Sequence, residues 1–344
     1  MLKNYFYFFK IMSLFVRKYV IVKKYLPIFI RSVFKLAATA VFGVSFVDVK
    51  GFPFGKYIPT GTNLGNVKIV HGGVSRNVCE DFANVGMPVD FVSVADHTPI
   101  GLDVVDHLQN IGVGTDYITM VPSGGVGMWL AVMDEKGDLA GSTSQMPDLD
   151  ALQSFIGAKG EEIVKNCENI VLEIDTNEAI AEKVLSLAEK YNKKVYVIVG
   201  NLSVIGKRPD FLSRVDCYIC NEIEAGKFFE MNLKEFNPEQ MLEVVKEKSA
   251  ELKVPSMVVT MGKDGAVFYD SRTGEEGHCP CRPCSLVDTT GAGDAFLSGT
   301  VMGLTKGYSL EKAVKAGTYL ASATIEVDES SCPKNPKFFD QFED

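Results

Sequence analysis

Residues 287–296, VDTTGAGDAF, combine three small residues with a carboxylate. Gly291, Ala292 and Gly293 lie directly before Asp294, and the apolar run that follows predicts a helix. Small residues let a backbone approach a ligand closely, and the start of a helix presents unpaired N–H groups with partial positive charge. The segment therefore predicts an anion-binding turn. A fixed negative charge beside such a turn is unfavourable unless Asp294 has a role there.

Transfer of a phosphoryl group would account for both features of this segment. Backbone N–H groups at the helix start would stabilise charge that develops on a γ-phosphate, while Asp294 orients and deprotonates an attacking alcohol. The same N–H groups are expected to keep Asp294 ionised at neutral pH, as a general base requires. The structural alternative is a carboxylate that only caps a helix.

Two further segments carry residues suited to a sugar and to phosphates. In GGVSRN, Gly72 and Gly73 permit close approach to a ligand, and Asn77 can hydrogen-bond a hydroxyl group. In NEIE, Asn221 and Glu224 offer an amide and a carboxylate that suit hydrated magnesium and its phosphates. Each segment alone also reads as an ordinary turn.

A fourth segment, TMGKDG, follows a predicted strand with the Thr260 hydroxyl and two glycines, Gly262 and Gly265. Four such segments at predicted strand ends favour a ligand site over four unrelated turns. A fifth, GNLSVIGKR, resembles a P-loop but places Arg208 where a magnesium-binding hydroxyl belongs, so it is interpreted as a coincidence.

The elements that position these segments alternate between strand and helix. Strands are predicted at 39–47, 90–95, 169–175, 193–200, 215–221 and 256–262, and helices at 75–86, 100–112, 177–192 and 222–230. This alternation predicts one α/β domain with a largely parallel sheet covered on both faces, where ligands bind at the carboxyl ends of the strands. Segments near 50–70 and 127–144 read as hairpins of a small separate sheet.

The composition fits a globular chain with ample core: 344 residues, 46% hydrophobic and 23% charged. The formal net charge is −9, and basic and aromatic residues do not interleave through the body of the chain. Nucleic acid is therefore not expected as a partner. Eight cysteines without sign of secretion indicate reduced thiols and a cytoplasmic protein.

The first 36 residues differ from the rest, because they contain eight Lys or Arg, ten aromatics and no acidic residue. Basic residues interrupt this segment too often for it to span a membrane. Residues 1–35 are expected to be a disordered tail or a start-site artefact, with contact to an anionic membrane surface as the alternative. The folded domain would then cover 36–344.

The C-x-x-C spacings in CYIC and HCPCRPC, the second with His278 beside it, are compatible with a zinc site. Cys217 and Cys220 lie in an apolar strand-like run, where small buried thiols are ordinary core residues. The core interpretation is favoured.

Together the four segments resemble the PfkB or ribokinase family of carbohydrate and nucleoside kinases, over about residues 36–333, with DTTGAGDAF the most specific match. The resemblance implies a three-layer α/β/α fold with a small β-sheet lid over the sugar, and ATP with Mg²⁺ as phosphate donor. It also suggests a homodimer formed through the lid.

The resemblance assigns roles residue by residue. It implies that Asp294 is the catalytic base and that Gly291, Ala292 and Gly293 form the anion hole. The implied substrate contacts are Asp48, Gly72, Gly73, Asn77 and Glu173. The implied nucleotide contacts are Asn221, Glu224, Thr260, Gly262 and Gly265, with Glu224 reaching magnesium through water. Asp288 and Thr290 correspond to positions whose oxygens hold potassium in several members.

The substrate is less determined. An Arg before Asn77 is most similar to pseudouridine kinases, whereas Phe46 stands where those relatives carry Asn. A nucleoside phosphorylated at its 5-hydroxyl, pseudouridine first, is predicted; a free furanose is the alternative, and an inactive sugar-binding regulator is a third. Phe46, Met128 and Trp129 are candidates to stack on a base. A phosphosugar is disfavoured because 127–144 offers only Lys136 as a basic residue.

Overall fold

The structure, a computed structural model, describes residues 38–343. The segment 1–35, for which a tail was predicted, lies outside the described residues. The described strands are β1 Thr39–Phe42, β2 Phe46–Pro53, β3 Gly65–Gly72, β4 Val89–Asp96, β5 Ile118–Val121, β6 Gly127–Met133, β7 Leu139–Gln145, β8 Ile170–Glu173, β9 Val195–Ile198, β10 Cys217–Asn221, β11 Ser256–Thr260, β12 Ala266–Asp270 and β13 Glu275–Cys279. The α-helices are α1 Val74–Asn84, α2 Pro99–Ile111, α3 Leu149–Asn166, α4 Glu178–Tyr191, α5 Glu222–Phe228, α6 Pro238–Leu252, α7 Ala292–Thr305 and α8 Leu310–Thr324.

The main sheet has the strand order β13-β12-β11-β10-β9-β8-β1-β4-β5. Its strands pair in parallel except at one edge, where β12 and β13 are antiparallel. Strands β1 and β9 are buried along their whole length, because helices cover both faces. Separate hydrophobic clusters fill the two sides of the sheet. The three-layer α/β/α fold predicted from the sequence is confirmed.

A second sheet, called the lid below, has the strand order β3-β2-β6-β7. It consists of two antiparallel pairs that join through the parallel pairing of β2 with β6. These strands come from the two hairpin segments that the sequence predicted, with β2 beginning four residues earlier than position 50.

The single strand predicted over 39–47 is wrong. The chain leaves the main sheet after β1 and enters the lid as β2, and the backbone between them bends around Glu173, whose Oε2 accepts the N–H of Val44 at 3.1 Å. A Cβ on Gly43 would lie 1.9 Å from Ser75 Oγ, so glycine is required at the bend. An unbroken apolar pattern does not show that a strand changes its sheet.

Helix boundaries follow the sequence closely, since α1, α2, α4 and α5 each lie within two residues of their predicted bounds. Side chains at the helix starts explain this, as in α4, where Asn177 accepts the N–H groups of Ala179 and Ile180. Over residues 38–343 none of the helices is both long and apolar enough to cross a bilayer.

Candidate active site

The helix α7 begins in the turn that carries the predicted anion hole. Gly291 caps it with φ of 78°, a left-handed conformation that favours glycine. A Cβ at Gly291 would lie 2.0 Å from the carbonyl oxygen of Ser330, whereas a Cβ at Gly293 would meet nothing within 4 Å. The first glycine is therefore required by the fold, and the second leaves open space beside the helix start. Ala292 is the first residue of the helix.

Asp294 lies in the first turn of α7, and Asn77 lies in the first turn of α1. The side-chain amide of Asn77 donates to Asp294 Oδ2 at 2.6 Å. Helix α1 starts at Gly73, whose φ of 94° follows the end of β3. Two glycine-initiated helices therefore bring together Asn77, predicted as a sugar contact, and the predicted base.

The prediction that helix N–H groups keep Asp294 ionised at neutral pH is wrong, because it did not include the burial of the carboxyl group. Burial raises the pKa of Asp294 to about 7, with the Asn77 hydrogen bond opposing it and the charge of Asp81 adding to it. Desolvation of a carboxylate outweighs one strong hydrogen bond here. A pKa near 7 nevertheless suits a general base that works at neutral pH.

Glu173, at the end of β8, lies close enough to Asp294 for its charge to add to the raised pKa of that carboxyl. Its Oε2 accepts the Ser75 hydroxyl at 2.6 Å as well as the Val44 N–H. Burial also raises the pKa of Glu173, and these two hydrogen bonds oppose the shift. The residue thus joins the bend before the lid to the start of α1.

One face of the lid carries Asp48. A Cβ at Gly72, its diagonal neighbour on β3, would lie 2.7 Å from Asp48 Oδ1, so this glycine leaves room for the carboxylate. Burial raises the pKa of Asp48, and the positive charges of Lys50 and Arg76 oppose the shift. Arg76 lies on α1, so the effect of its charge on the pKa of Asp48 indicates that the Asp48 face of the lid is the one turned towards α1, called the inner face below.

Strand alternation divides the candidate stacking residues between the two faces. Phe46 and Asp48 share the inner face, and Trp129 joins them because it pairs directly with Asp48. The ring of Phe46 covers Gly127, where a Cβ would lie 2.6 Å from it. Met128 pairs with Val47 and therefore lies on the opposite face of the lid, away from the inner face on which it was a candidate to stack on a base.

The inner face also carries basic residues outside 127–144, the segment whose single lysine was the reason for disfavouring a phosphosugar. Lys50 lies 3.9 Å from Asp48 Oδ2 and 5.8 Å from the centroid of the Trp129 ring. Lys68, on the neighbouring strand, pairs with Asp328 at 3.3 Å. The lack of basic residues near the lid therefore no longer argues against a phosphosugar, although both lysines have acidic neighbours.

The predicted nucleotide residues meet at the ends of β10 and β11, where Asn221 and Thr260 are direct partners in the sheet. Asn221 and Glu224 form a capping box at the start of α5: Asn221 Oδ1 accepts the N–H of Glu224 at 2.8 Å, and Glu224 Oε2 accepts the N–H of Asn221 at 2.9 Å. Burial raises the pKa of Glu224. The amide oxygen of Asn221 is thus engaged by the helix, and Glu224 is the better candidate to face a hydrated cation.

Gly262 and Gly265 flank a short 3₁₀ turn after β11, and both have positive φ. A Cβ at Gly265 would lie 2.1 Å from the carbonyl oxygen of Cys279, whereas a Cβ at Gly262 would meet nothing within 4 Å. The turn again pairs a glycine that the fold requires with one that opens onto free space.

Asp288 and Thr290 form a turn of their own, in which Asp288 Oδ1 accepts the N–H of Thr290 at 2.9 Å and its hydroxyl at 2.8 Å. The backbone hydrogen bond lowers the pKa of Asp288, so its carboxylate is ionised at neutral pH. An ionised carboxylate and a hydroxyl are oxygen donors of the kind that alkali cations accept.

The structure also explains two motifs that sequence reasoning set aside. In GNLSVIGKR the backbone forms a nest for Asp175, whose carboxylate accepts four N–H groups, from Gly200 at 3.4 Å, Leu202 at 3.1 Å, Val204 at 2.9 Å and Ile205 at 3.3 Å. Cys217 and Cys220 lie in hydrophobic clusters on opposite faces of the main sheet, which confirms that they are core residues.

Sequence reasoning did not assign a role to Arg76. It is only 2% exposed and donates to the side chains of Glu80 and Asn77, which makes it the charged neighbour of the Asn77–Asp294 pair. A cationic residue inside the otherwise buried first turns of α1 is the signal that could have identified it.

Comparison with known proteins agrees with this arrangement. The profile of the pfkB family carbohydrate kinases matches residues 39–337. Guanosine-inosine kinase of Exiguobacterium acetylicum is 33% identical over 291 residues, covering 85% of this chain and 95% of that protein. Pseudouridine kinase of Escherichia coli K12 is 22% identical, covering 85% and 92%. Arabidopsis thaliana ribokinase, solved with ribose and ATP, superposes with a TM-score of 0.75 at 21% identity over 90% of this chain and 99% of its own. The chain belongs to the pfkB family of carbohydrate kinases, and it is a sugar or nucleoside kinase with a ribokinase-like fold.

Proposed function

We propose that this kinase transfers the γ-phosphoryl group of ATP to the primary 5-hydroxyl of a nucleoside, with Asp294 as the general base. The observation that best supports this chemistry is the position of Asp294. Its carboxyl lies at the start of α7, beside the open space at Gly293, and burial raises its pKa to about 7. Asn77 engages Oδ2 of Asp294, and Oδ1 has no hydrogen-bond partner within the described residues.

The proposed step is an in-line displacement. Asp294 Oδ1 accepts the proton of the alcohol as its oxygen attacks the γ-phosphorus, and the bond from that phosphorus to the bridging oxygen of ADP breaks. The N–H groups at the start of α7 stabilise the charge that develops on the transferred group. The phosphorylated nucleoside and ADP leave, and the base returns its proton to solvent.

The oxygen donors of the site suit two cations. Bound Mg²⁺ would neutralise phosphate charge, and Glu224 is the residue proposed to hold it through water, because the Asn221 amide oxygen is engaged by the helix. The ionised Asp288 and its partner Thr290 are proposed to hold K⁺.

A nucleoside is proposed because of one comparison and one surface. The relative at 33% identity is named for guanosine and inosine, whereas the pseudouridine kinase is 22% identical, which moves the preferred substrate from pseudouridine towards a purine nucleoside. Phe46 and Trp129 give the inner face of the lid two aromatic rings against which a base can stack. The bland alternative is that both rings are lid core above a bare furanose.

The test is a substrate panel that measures ADP release with guanosine, inosine, pseudouridine, ribose and fructose 6-phosphate. We expect kcat/KM to be highest for a purine nucleoside, and Trp129→Ala to raise its KM about ten-fold while the KM of ribose changes little. Asp294→Asn is the negative control, with kcat lower by about 10²–10⁴ and nucleotide binding retained. Equal or better efficiency on free sugars would refute the nucleoside and leave the kinase standing.

We further propose a homodimer that forms through the outer face of the lid. Val67, Ile69 and Leu130 share this face by register and are 68%, 66% and 52% exposed, which is unusual for neighbouring apolar side chains. The free cysteines among the described residues accord with a reducing compartment such as the cytoplasm.

A further inference from the structure

Arg76 has more polar contacts than the folding of its own helix requires. Its Nε donates to the carbonyl oxygen of Gly72 at 3.2 Å, and its Nη2 donates to that of His71 at 3.0 Å and to the hydroxyl of Ser330 at 3.2 Å. The guanidinium also donates to Glu80 through Nη1 and to the side chain of Asn77 through Nη2. Arg76 thus joins the end of β3, the start of α1 and the 330 segment.

The donors of Arg76 fix which way the Asn77 amide points. A guanidinium has only N–H donors, so the atom of Asn77 that faces it must be the carbonyl oxygen, Oδ1. The amide nitrogen then faces Asp294, where it donates to Oδ2 at 2.6 Å. If the amide were turned over, N–H groups would face the guanidinium and the carbonyl oxygen would face the carboxylate. Arg76 therefore sets the direction of both hydrogen bonds, from Arg76 to Asn77 and from Asn77 to Asp294.

The charge of Arg76 also acts on the base. It opposes the burial that raises the pKa of Asp294, whereas the carboxyl groups of Asp81 and Glu173 add to it. Around Arg76 itself, Glu80 is its ion-pair partner, and burial of Glu80 is outweighed by His107 and Arg76, which hold its pKa near 2. The remaining titratable neighbours are Asp48, Cys79 and His71, the last in ring contact with His107.

We propose that Arg76 is a positioning residue for the transfer reaction: through Asn77 it orients Asp294 so that Oδ1 is free for the substrate hydroxyl, and its charge favours the ionised form of that base. The inference rests on the proposed role of Asp294. It assigns to Arg76 two separable effects, one of geometry and one of charge.

Two variants separate these effects. Arg76→Lys retains the charge but cannot bridge Asn77 and Glu80 with one planar group. We therefore expect kcat to fall about ten-fold at every pH, while the midpoint of the acid limb of the pH profile of kcat stays at its wild-type value. In the double variant Arg76→Gln, Glu80→Gln the buried charges are removed as a pair. We expect the acid limb to move up by roughly one unit, which lowers the ionised fraction at pH 7 about five-fold and leaves a smaller defect at pH 9.

The ionisation of Asp294 is also measured without turnover, by ¹³C NMR of carboxyl-labelled aspartate with the resonance assigned from Asp294→Asn. The matched control is Arg214→Gln, an arginine paired with Glu182 and Glu189 away from the base, which should keep the wild-type midpoint. A rise of the Asp294 midpoint in the double variant supports the proposal.

Wild-type kcat in Arg76→Lys across the pH range, or an unchanged Asp294 midpoint in the double variant, would overturn it. Should the double variant not fold, kcat of Arg76→Lys decides alone. Failure of the proposed function looks different, because Asp294→Asn would then retain activity while the NMR midpoint still reports the effect of Arg76.

Discussion

Ionisation of Asp294 has opposite effects on activity and on stability: it makes the proposed base competent and it lowers the stability of the fold. Its pKa lies near 7 in the folded protein and near 3.9 in an unfolded chain, so the native state holds this proton more tightly. Its contribution to stability is fully present below about pH 4 and is lost as the pH rises towards 7, where the ionised base becomes competent.

We therefore expect Asp294→Asn to melt at a higher temperature than the wild type at pH 8, by on the order of 2 °C, and at nearly the same temperature at pH 4. The amide can still accept the Asn77 hydrogen bond but carries no buried charge. Thermal melting at the two pH values measures the difference. Asp288→Asn is the control of opposite sign, since the pKa of Asp288 is lowered in the fold and its loss should give no gain at pH 8. A lower melting temperature for Asp294→Asn at pH 8 would contradict the raised pKa.

At the scale of single residues, the sequence predicts which residue types form the site, but not how burial and distant charges act on them. The GAGD turn and Asn77 were predictable, because glycine and amide chemistry is local. The raised pKa of Asp294 and the proposed role of Arg76 were not, because both depend on residues of α1 and β8 that lie about 120 or more positions from Asp294 in the chain. Burial of a carboxylate has no sequence signature of its own.

At the scale of elements, the start of α7 separates two kinds of glycine. Gly291→Ala should destabilise the protein, because its positive φ and the carbonyl of Ser330 at 2.0 Å from a Cβ leave no room for a side chain. Gly293→Ala should leave the melting temperature equal or slightly higher, since a Cβ there meets nothing and alanine favours a helix.

The same Gly293→Ala methyl would enter the space proposed for the phosphates, so we expect kcat/KM for ATP to fall by about ten-fold or more. Melting curves and steady-state kinetics on the two variants together make the comparison. A fully active Gly293→Ala enzyme would show that the phosphates do not approach the helix start at this residue.

The elements themselves were largely predictable, with one instructive failure. Helix bounds follow from caps and glycines that act within a few residues, as at Gly73 and Asn177. The change of sheet at Gly43 follows instead from Glu173 and Ser75, which the chain supplies much later. Local patterns therefore predict where an element ends more reliably than which partner it joins.

At the scale of the whole molecule, the outer face of the lid makes the assembly testable. Ile69→Lys places a charge in the exposed apolar face, so we expect the proposed dimer to become a monomer, measured by light scattering after size exclusion. Lys136→Glu, on the exposed turn between β6 and β7, is the control and should remain dimeric. A wild-type protein that is monomeric at micromolar concentration would contradict this assembly.

The loop around Asp175 has a consequence for how the whole chain meets free phosphate. The carboxylate of Asp175 already accepts the four N–H groups of this loop, and because it is part of the same chain it is always present beside them. A dissolved anion would have to displace the Asp175 carboxylate from these N–H groups before it could bind this P-loop-like backbone. Whether a glycine loop is a receptor depends on its occupant, and here the occupant is covalently part of the protein.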